Sequence, residues 1–170
     1  MEHKLECCDI TIRIATEDDF LEVWGLLQPV FQKGDSYPHP PEMTEEEAFH
    51  LWMEVPIATY VAIQDHKPIG TYYIKANQIG LGNHVCNSGY VVSPEARGLG
   101  LGRMLCEHSK AQAKALGFLA MQFNFVVSTN TIAVNLWQSC GFSIVGTLPK
   151  AFRHLEKGLV DAYVMYHWLE

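Results

Sequence analysis

Three glycines at alternate positions, Gly98, Gly100 and Gly102, lie between Arg97 and Arg103 in the stretch EARGLGLGRMLCEHSKAQAKALG. Lacking side chains, they let the backbone turn sharply and leave N–H groups facing outward at the start of a helix, where the dipole is positive. A phosphate is the anion this pattern suits. A Walker loop would require GxxxxGK[ST], and no lysine follows these glycines. A dinucleotide fingerprint would require GxGxxG, and counting from Gly98 puts Arg103 at the last position. Polar residues also interrupt apolar runs: Asn87 in HVCNSGY, and Gln122 and Asn124 in FLAMQFNFVV, where the two amides share one strand face and Met121, Phe123 and Phe125 the other. Each amide could meet a substrate, face solvent or satisfy backbone groups. For proton transfer the candidates are His84, Tyr90, a carboxylate between Glu42 and Glu47, or water, and their spacing selects none. Tyr37 and His39 either line an acceptor pocket or belong to a proline-rich connector. The histidines form no HExxH and no i, i+4 pair, so a metal site has no support.

Alternating strand and helix signals must position these groups. Ile10 to Ile14 alternates as a strand, and Thr16 with Asp19 opens a helix through Leu27 that Pro29 is expected to close. After the loop SYPHPPEMTEEE, Thr44 with Glu47 opens a second helix through about Met53. Residues 58–64 and 69–76 flank the turn DHKP as an antiparallel hairpin. A third strand, 84–93, contains Gly89, where a bulge or a close backbone approach is expected. The glycine loop then leads into a helix whose apolar residues Leu101, Leu105, Cys106, Ala113 and Leu116 follow helical spacing and which Gly117 caps. A strand over 118–127, a short helix over 130–140 and strands over 142–146 and 160–168 complete an α+β order with a mixed sheet.

Composition narrows the partner. A chain of 170 residues that is 48% apolar suffices for one core, and the expected organisation is a single domain over residues 1–170. A net charge of −7, with 12 lysines and arginines spread along the chain, argues against nucleic acid and favours a small molecule. The start, MEHKLECCDI, has no apolar leader and no later run is long enough to span a bilayer, so no membrane partner and a cytoplasmic location are expected. The five cysteines, Cys7, Cys8, Cys86, Cys106 and Cys140, fit free thiols better than a disulfide scaffold or metal ligands.

The run Arg97-Gly98-Leu99-Gly100-Leu101-Gly102 resembles the pyrophosphate loop of the GNAT (GCN5-related) N-acetyltransferases. NTIAVNLWQSCGF, residues 130–142, is similar to their second motif at Asn130, Ala133, Leu136, Gly141 and Phe142, and the element order agrees over nearly the whole chain. The resemblance implies the GNAT fold, a mostly antiparallel mixed sheet with splayed central strands flanked by helices. It implies an N-acetyltransferase that uses acetyl-CoA as co-substrate, with direct attack of a small primary or secondary amine on the thioester.

Residue roles follow from the same resemblance. The amides of residues 98–103 (Gly98, Leu99, Gly100, Leu101, Gly102 and Arg103), with Arg97, would hold the pyrophosphate, and the backbone around Val91 and Val92 the pantetheine arm. Gly89 would form the bulge that frees a backbone N–H for the thioester carbonyl, next to Tyr90. Trp137 stands where the commonest pattern has a tyrosine acid; its indole N–H is too weak an acid for that role, and it is expected to pack against cofactor or core. The strings around Asn87 and Asn124 also resemble a branch that includes fungal N-acetyltransferases of proline analogues such as azetidine-2-carboxylate. That branch implies substrate contacts at Asn87 and Asn124, an amino acid or analogue as acceptor, and a CoA contact at Asn130. Arg153, His154 and Lys157 could meet the adenosine 3'-phosphate or lie in solvent. Two other readings compete: acetylation of a protein or peptide N-terminus, and a non-catalytic acyl-CoA sensor. The oligomeric state is open, a homodimer being one candidate.

Overall fold

The protein is described by a computed structural model over residues 10–169. Seven strands form one sheet in the order β1-β2-β3-β4-β5-β7-β6. They are β1 (Thr11–Ile14), β2 (Ala58–Gln64), β3 (Lys67–Ala76), β4 (Val85–Val92), β5 (Ala120–Val127), β6 (Ser143–His154) and β7 (Gly158–Trp168). All neighbours are antiparallel except β4 and β5, which run parallel. The helices are α1 (Phe20–Lys33), α2 (Glu45–Phe49), α3 (Leu101–Ala115) and α4 (Thr131–Ser139). This is the expected α+β mixed sheet.

Strand alternation divides the core into two layers. Tyr72 packs with Leu101, Leu105 and Trp137 of α3 and α4, whereas its neighbour Tyr73 packs with Phe20, Leu27 and Trp52 on the α1 and α2 side. Both expected helix starts carry their capping residues. The Thr16 amide donates to the Asp19 carboxylate at 2.7 Å, and Thr44 and Glu47 cap each other reciprocally at 2.8 and 3.2 Å. Asp65 and His66, both at positive φ, form the tight turn between β2 and β3.

Three expectations are corrected. Pro29 lies inside α1 rather than ending it. The apolar spacing continues past it to Phe31, which is 1% exposed and packs edge-on to Tyr37 and His39, and that burial offsets the proline's cost. The second helix reaches Glu54, close to the expected end near Met53, regular over α2 and then widening into a π-type turn over His50–Glu54. Strand β6 runs on to His154, because its pairing with β7 resumes after a register shift between Leu148 and Phe152, where Pro149 and the positive-φ Lys150 hid the strand pattern. Finally, β3 and β4 pair without any register shift at Gly89, which sits opposite Tyr73. Close approach, and not a bulge, is what this glycine permits: a Cβ there would lie 2.8 Å from the Tyr73 ring and 3.0 Å from the Tyr37 hydroxyl. Cys86, Cys106 and Cys140 are buried free thiols, while Cys7 and Cys8 lie outside the described residues.

Candidate active site

Strands β4 and β5 pair only at Val85 with Ala120 and Cys86 with Met121. Beyond these positions they separate, and a cavity of about 290 Å³ opens between them. Its wall includes Asn87, Gly89, Tyr90, Val91, Val92, Arg97, Asn124, Asn130 and Trp137, nine residues singled out in the sequence. Gly98 through Arg103 follow Arg97 without lining it.

The separation leaves one edge of β4 unpaired. The Ser93 amide donates to the Ile69 carbonyl and the Asn77 amide to the Val85 carbonyl, so odd-numbered β4 residues turn their backbone polar groups toward β3. Ser88, Tyr90 and Val92 therefore turn theirs toward the gap. The Tyr37 hydroxyl fills one of these places, accepting the Tyr90 N–H at 2.8 Å and donating to the Tyr90 carbonyl at 2.9 Å. Burial pushes the Tyr37 phenol well above its ordinary range, so it stays a donor at neutral pH.

Amide side chains bridge the foot of the gap. Asn87 Nδ2 donates to the Gln122 carbonyl at 2.9 Å, the place of the first lost ladder bond, and Asn87 Oδ1 accepts from the Tyr73 hydroxyl at 3.3 Å. Gln122 Nε2 donates to Asn124 Oδ1 at 2.9 Å and Asn124 Nδ2 to Asn77 Oδ1 at 2.7 Å. Gln122 and Asn124 thus share a face, as their spacing predicts. Asn87 is 7% exposed, whereas Asn124 is exposed.

The three glycines divide their work. Gly98 and Gly100 have φ of +82° and +75°, with open space where a Cβ would stand. Gly100 caps α3, and the first intrahelical bond is Met104 N–H to the Gly100 carbonyl, so the amides of Leu101 to Arg103 precede it and are available to an anion. That cradle fits a phosphate, with the exposed Arg97 beside it. Gly102 serves packing: a Cβ there would lie 2.8 Å from Leu136 Cδ2 on α4. The Arg103 guanidinium also ties α3 to α4, donating to the Ser139 carbonyl at 3.3 Å and Oγ at 2.7 Å. Leu101 is 1% exposed and belongs to the core, and Leu99 is exposed. Asn130 caps α4 through the Ala133 amide at 3.2 Å. Trp137, 9% exposed, packs its ring 4.8 Å from that of Tyr90 on β4 and 5.0 Å from that of Phe123 on β5.

Of the proton-transfer candidates, His84 and the carboxylates of Glu42 to Glu47 lie outside the cavity wall. Tyr90 lines it, but its hydroxyl contacts Ser109 Oγ at 2.7 Å and burial raises its phenol well above the ordinary range. His39, half-buried, lines the wall with Tyr37, so the proline-rich loop that carries them borders the cavity. In the basic cluster Arg153 and Lys157 are exposed, whereas His154 is buried and its Nδ1 accepts from the Glu156 and Lys157 amides. Tyr73 and Ser88 are wall residues that sequence reasoning did not single out; the aromatic opposite a glycine was the available signal for Tyr73.

The chain is similar to proteins of one kind. It is 30% identical to the N-acetyltransferase aca1 of Schizosaccharomyces pombe over 155 residues, covering 81% of this chain and 74% of that one. A GCN5-related N-acetyltransferase from Kribbella flavida superposes with a TM-score of 0.89 at 39% identity, over 94% of this chain and 98% of that one. A phosphinothricin acetyltransferase from Sinorhizobium meliloti, solved in complex with AcCoA, has the same fold (TM-score 0.82, 22% identity, 94% of this chain and 88% of that one). The sequence profile of the acetyltransferase (GNAT) family matches residues 20–142. With the divergent β4 and β5, the glycine cradle and these likenesses together, the chain belongs to the GNAT acetyltransferase family.

Proposed function

We propose that this chain is a single-domain, cytoplasmic enzyme that moves an acetyl group from acetyl-CoA to the amine of a small molecule, an amino acid or an analogue of one. The carrying observation is the cavity at the β4–β5 divergence, which adjoins the glycine cradle, is walled by Asn87 and Asn124 and contains no carboxylate side chain. Acetyl-CoA is the family's donor and supplies an activated thioester with a good leaving group. Here the amides of Leu101 to Arg103, which precede the first helix bond, hold its pyrophosphate, with Gly98, Gly100 and Arg97 beside them. Because Tyr90's backbone pair is engaged by Tyr37, Ser88 and Val92 offer the open edge for the pantetheine arm, while Val91 directs its backbone to β3. Asn130 and Trp137 line the donor side.

The acceptor side favours a small zwitterion over a peptide end. A cavity of this size takes a molecule of amino-acid dimensions beside the thioester, and its lining carries no carboxylate to draw in the amine end of an extended peptide. Lys75 does not line the cavity, but its Nζ lies 5.4 Å from the centre of the ring of Tyr73, which does, and brings positive charge near enough to favour a carboxylate. Thiol release measured with acetyl-CoA against a panel of amino acids, simple amines and N-terminal peptides tests this reading. Saturable turnover on small carboxylated amines is expected. Turnover on peptides alone, or donor binding without turnover on any amine, overturns it.

A further inference from the structure

We propose that His39 is the catalytic base that takes the proton from the acceptor amine. The inference rests on the acetyl-transfer reading of the site and assigns a role which that reading leaves open. His39 lines the cavity together with Asn87, Gly89 and Asn124. Among the lining residues it is the side chain able to exchange a proton near neutrality. The others that titrate are the phenols of Tyr37, Tyr73 and Tyr90, all raised by burial, and the Arg97 guanidinium. Its ring nitrogens make no hydrogen bond or ion pair with any described residue, so both remain available to a ligand.

The ring is held in place from several sides. It stacks on Tyr37 at 5.6 Å and 18°, and meets the edge of Phe31 at 5.0 Å and 76°. Tyr37 is in turn fastened to the Tyr90 backbone. His39 stands between Pro38 and Pro40, which restrict its backbone to extended conformations and stiffen the loop. The titratable and charged groups that share the cavity wall with it are Tyr37 on its own loop, Tyr73 on β3, Tyr90 on β4 and Arg97 just after β4; Lys75 on β3 acts on it by its charge, and α1 contributes the uncharged Phe31. Burial, followed by the charge of Lys75, lowers the imidazole's pKa, so that at physiological pH the ring is neutral and open to a proton.

The step balances. The neutral amine forms the N–C bond to the acetyl carbon, one N–H proton passes to a free imidazole nitrogen, and the C–S bond breaks with its electron pair on sulfur. The thiolate then takes the proton from the imidazolium, directly or through water, and His39 is regenerated.

The test compares wild type with His39→Gln and His39→Phe, the latter keeping a ring to stack on Tyr37, by acetyl transfer across pH 5 to 9 and by calorimetric titration with acetyl-CoA. Loss of a general base predicts kcat lowered roughly 10²-fold in both variants at neutral pH. The acidic limb of the wild-type pH profile should disappear, donor affinity should be unchanged, and added imidazole should restore part of the rate in His39→Gly. If either substituted protein binds the donor and keeps wild-type kcat and pH profile, the assignment to His39 is wrong while the acetyl-transfer reading stands. A wild type that binds acetyl-CoA and acetylates no amine overturns both.

Discussion

The hydroxyl of Tyr37 takes the place of a strand neighbour for Tyr90, accepting its N–H at 2.8 Å and donating to its carbonyl at 2.9 Å. A single phenol thus satisfies two backbone groups that the divergence of β5 would otherwise leave unpaired, and it anchors the proline-rich loop over the cavity. Gly89 makes this possible by leaving room for the hydroxyl.

Tyr37→Phe removes both bonds and keeps the ring stack. Losing hydrogen bonds to these part-buried backbone groups costs about 0.5–1.5 kcal/mol each, and for a chain of this size each kcal/mol lowers the melting temperature by roughly 2–4 °C. The acceptor KM should rise while acetyl-CoA affinity is not weakened, since the Tyr90 edge becomes free. Calorimetric melting and two-substrate kinetics check both parts; an unchanged melting temperature would show that the two bonds contribute nothing.

The amides at the foot of the gap separate two kinds of contribution. Asn87→Ala strands the Gln122 carbonyl and the Tyr73 hydroxyl, and should cost about 1–3 kcal/mol as well as raising the acceptor KM. Asn124→Ala breaks an exposed amide chain, and should alter stability by no more than about 0.5 kcal/mol while still raising the acceptor KM. Donor affinity should be intact in both. Equal stability losses would contradict the bridging role of Asn87.

Gly100→Ala and Gly102→Ala should differ in kind. An alanine at the left-handed φ of Gly100 costs about 1–2 kcal/mol and distorts the start of α3, so acetyl-CoA affinity falls with stability. At Gly102 the new methyl meets only the end of the Leu136 side chain, and the better helix propensity of alanine offsets the adjustment. Titration of each protein with acetyl-CoA tests the ordering, which a larger affinity loss for Gly102→Ala would reverse.

Much of this arrangement was legible in the chain because local chemistry and tertiary packing agree there. Thr44 and Glu47 cap where their spacing says, and Gly98 and Gly100 adopt the positive φ that only glycine adopts freely. Pro29 departs from its local rule, that proline ends helices, because the rule yields to the burial of Phe31 by partners distant in sequence. Gly89 stands out in its strand, but the groups that need its missing side chain, Tyr37 and Tyr73, come from a loop and from the facing strand. The same holds for His39, whose place in the cavity wall depends on Tyr37 reaching across to β4. Strand alternation put Gln122 and Asn124 on one face, but only the register of β4 against β5 shows that Asn87 completes a broken ladder.

Away from the cavity, Tyr72 and His108 tie β3 to α3 through a 2.7 Å contact between the phenol oxygen and Nδ1. Burial raises the Tyr72 phenol and lowers the His108 imidazole, so Tyr72 donates to a neutral ring. The folded pKa of His108 lies below its unfolded value of about 6.5, and between the two values the unfolded chain binds more protons. Stability from this group is therefore complete above the unfolded value and is lost as pH falls through the folded one. His39, shifted in the same direction, adds to the slope. Urea unfolding at steps from pH 8 to pH 5 should show wild-type stability declining toward the acid side, with a shallower decline in His108→Gln and a shallower one still when His39→Gln is added. Parallel curves for all three proteins would mean that neither imidazole is held neutral by its surroundings.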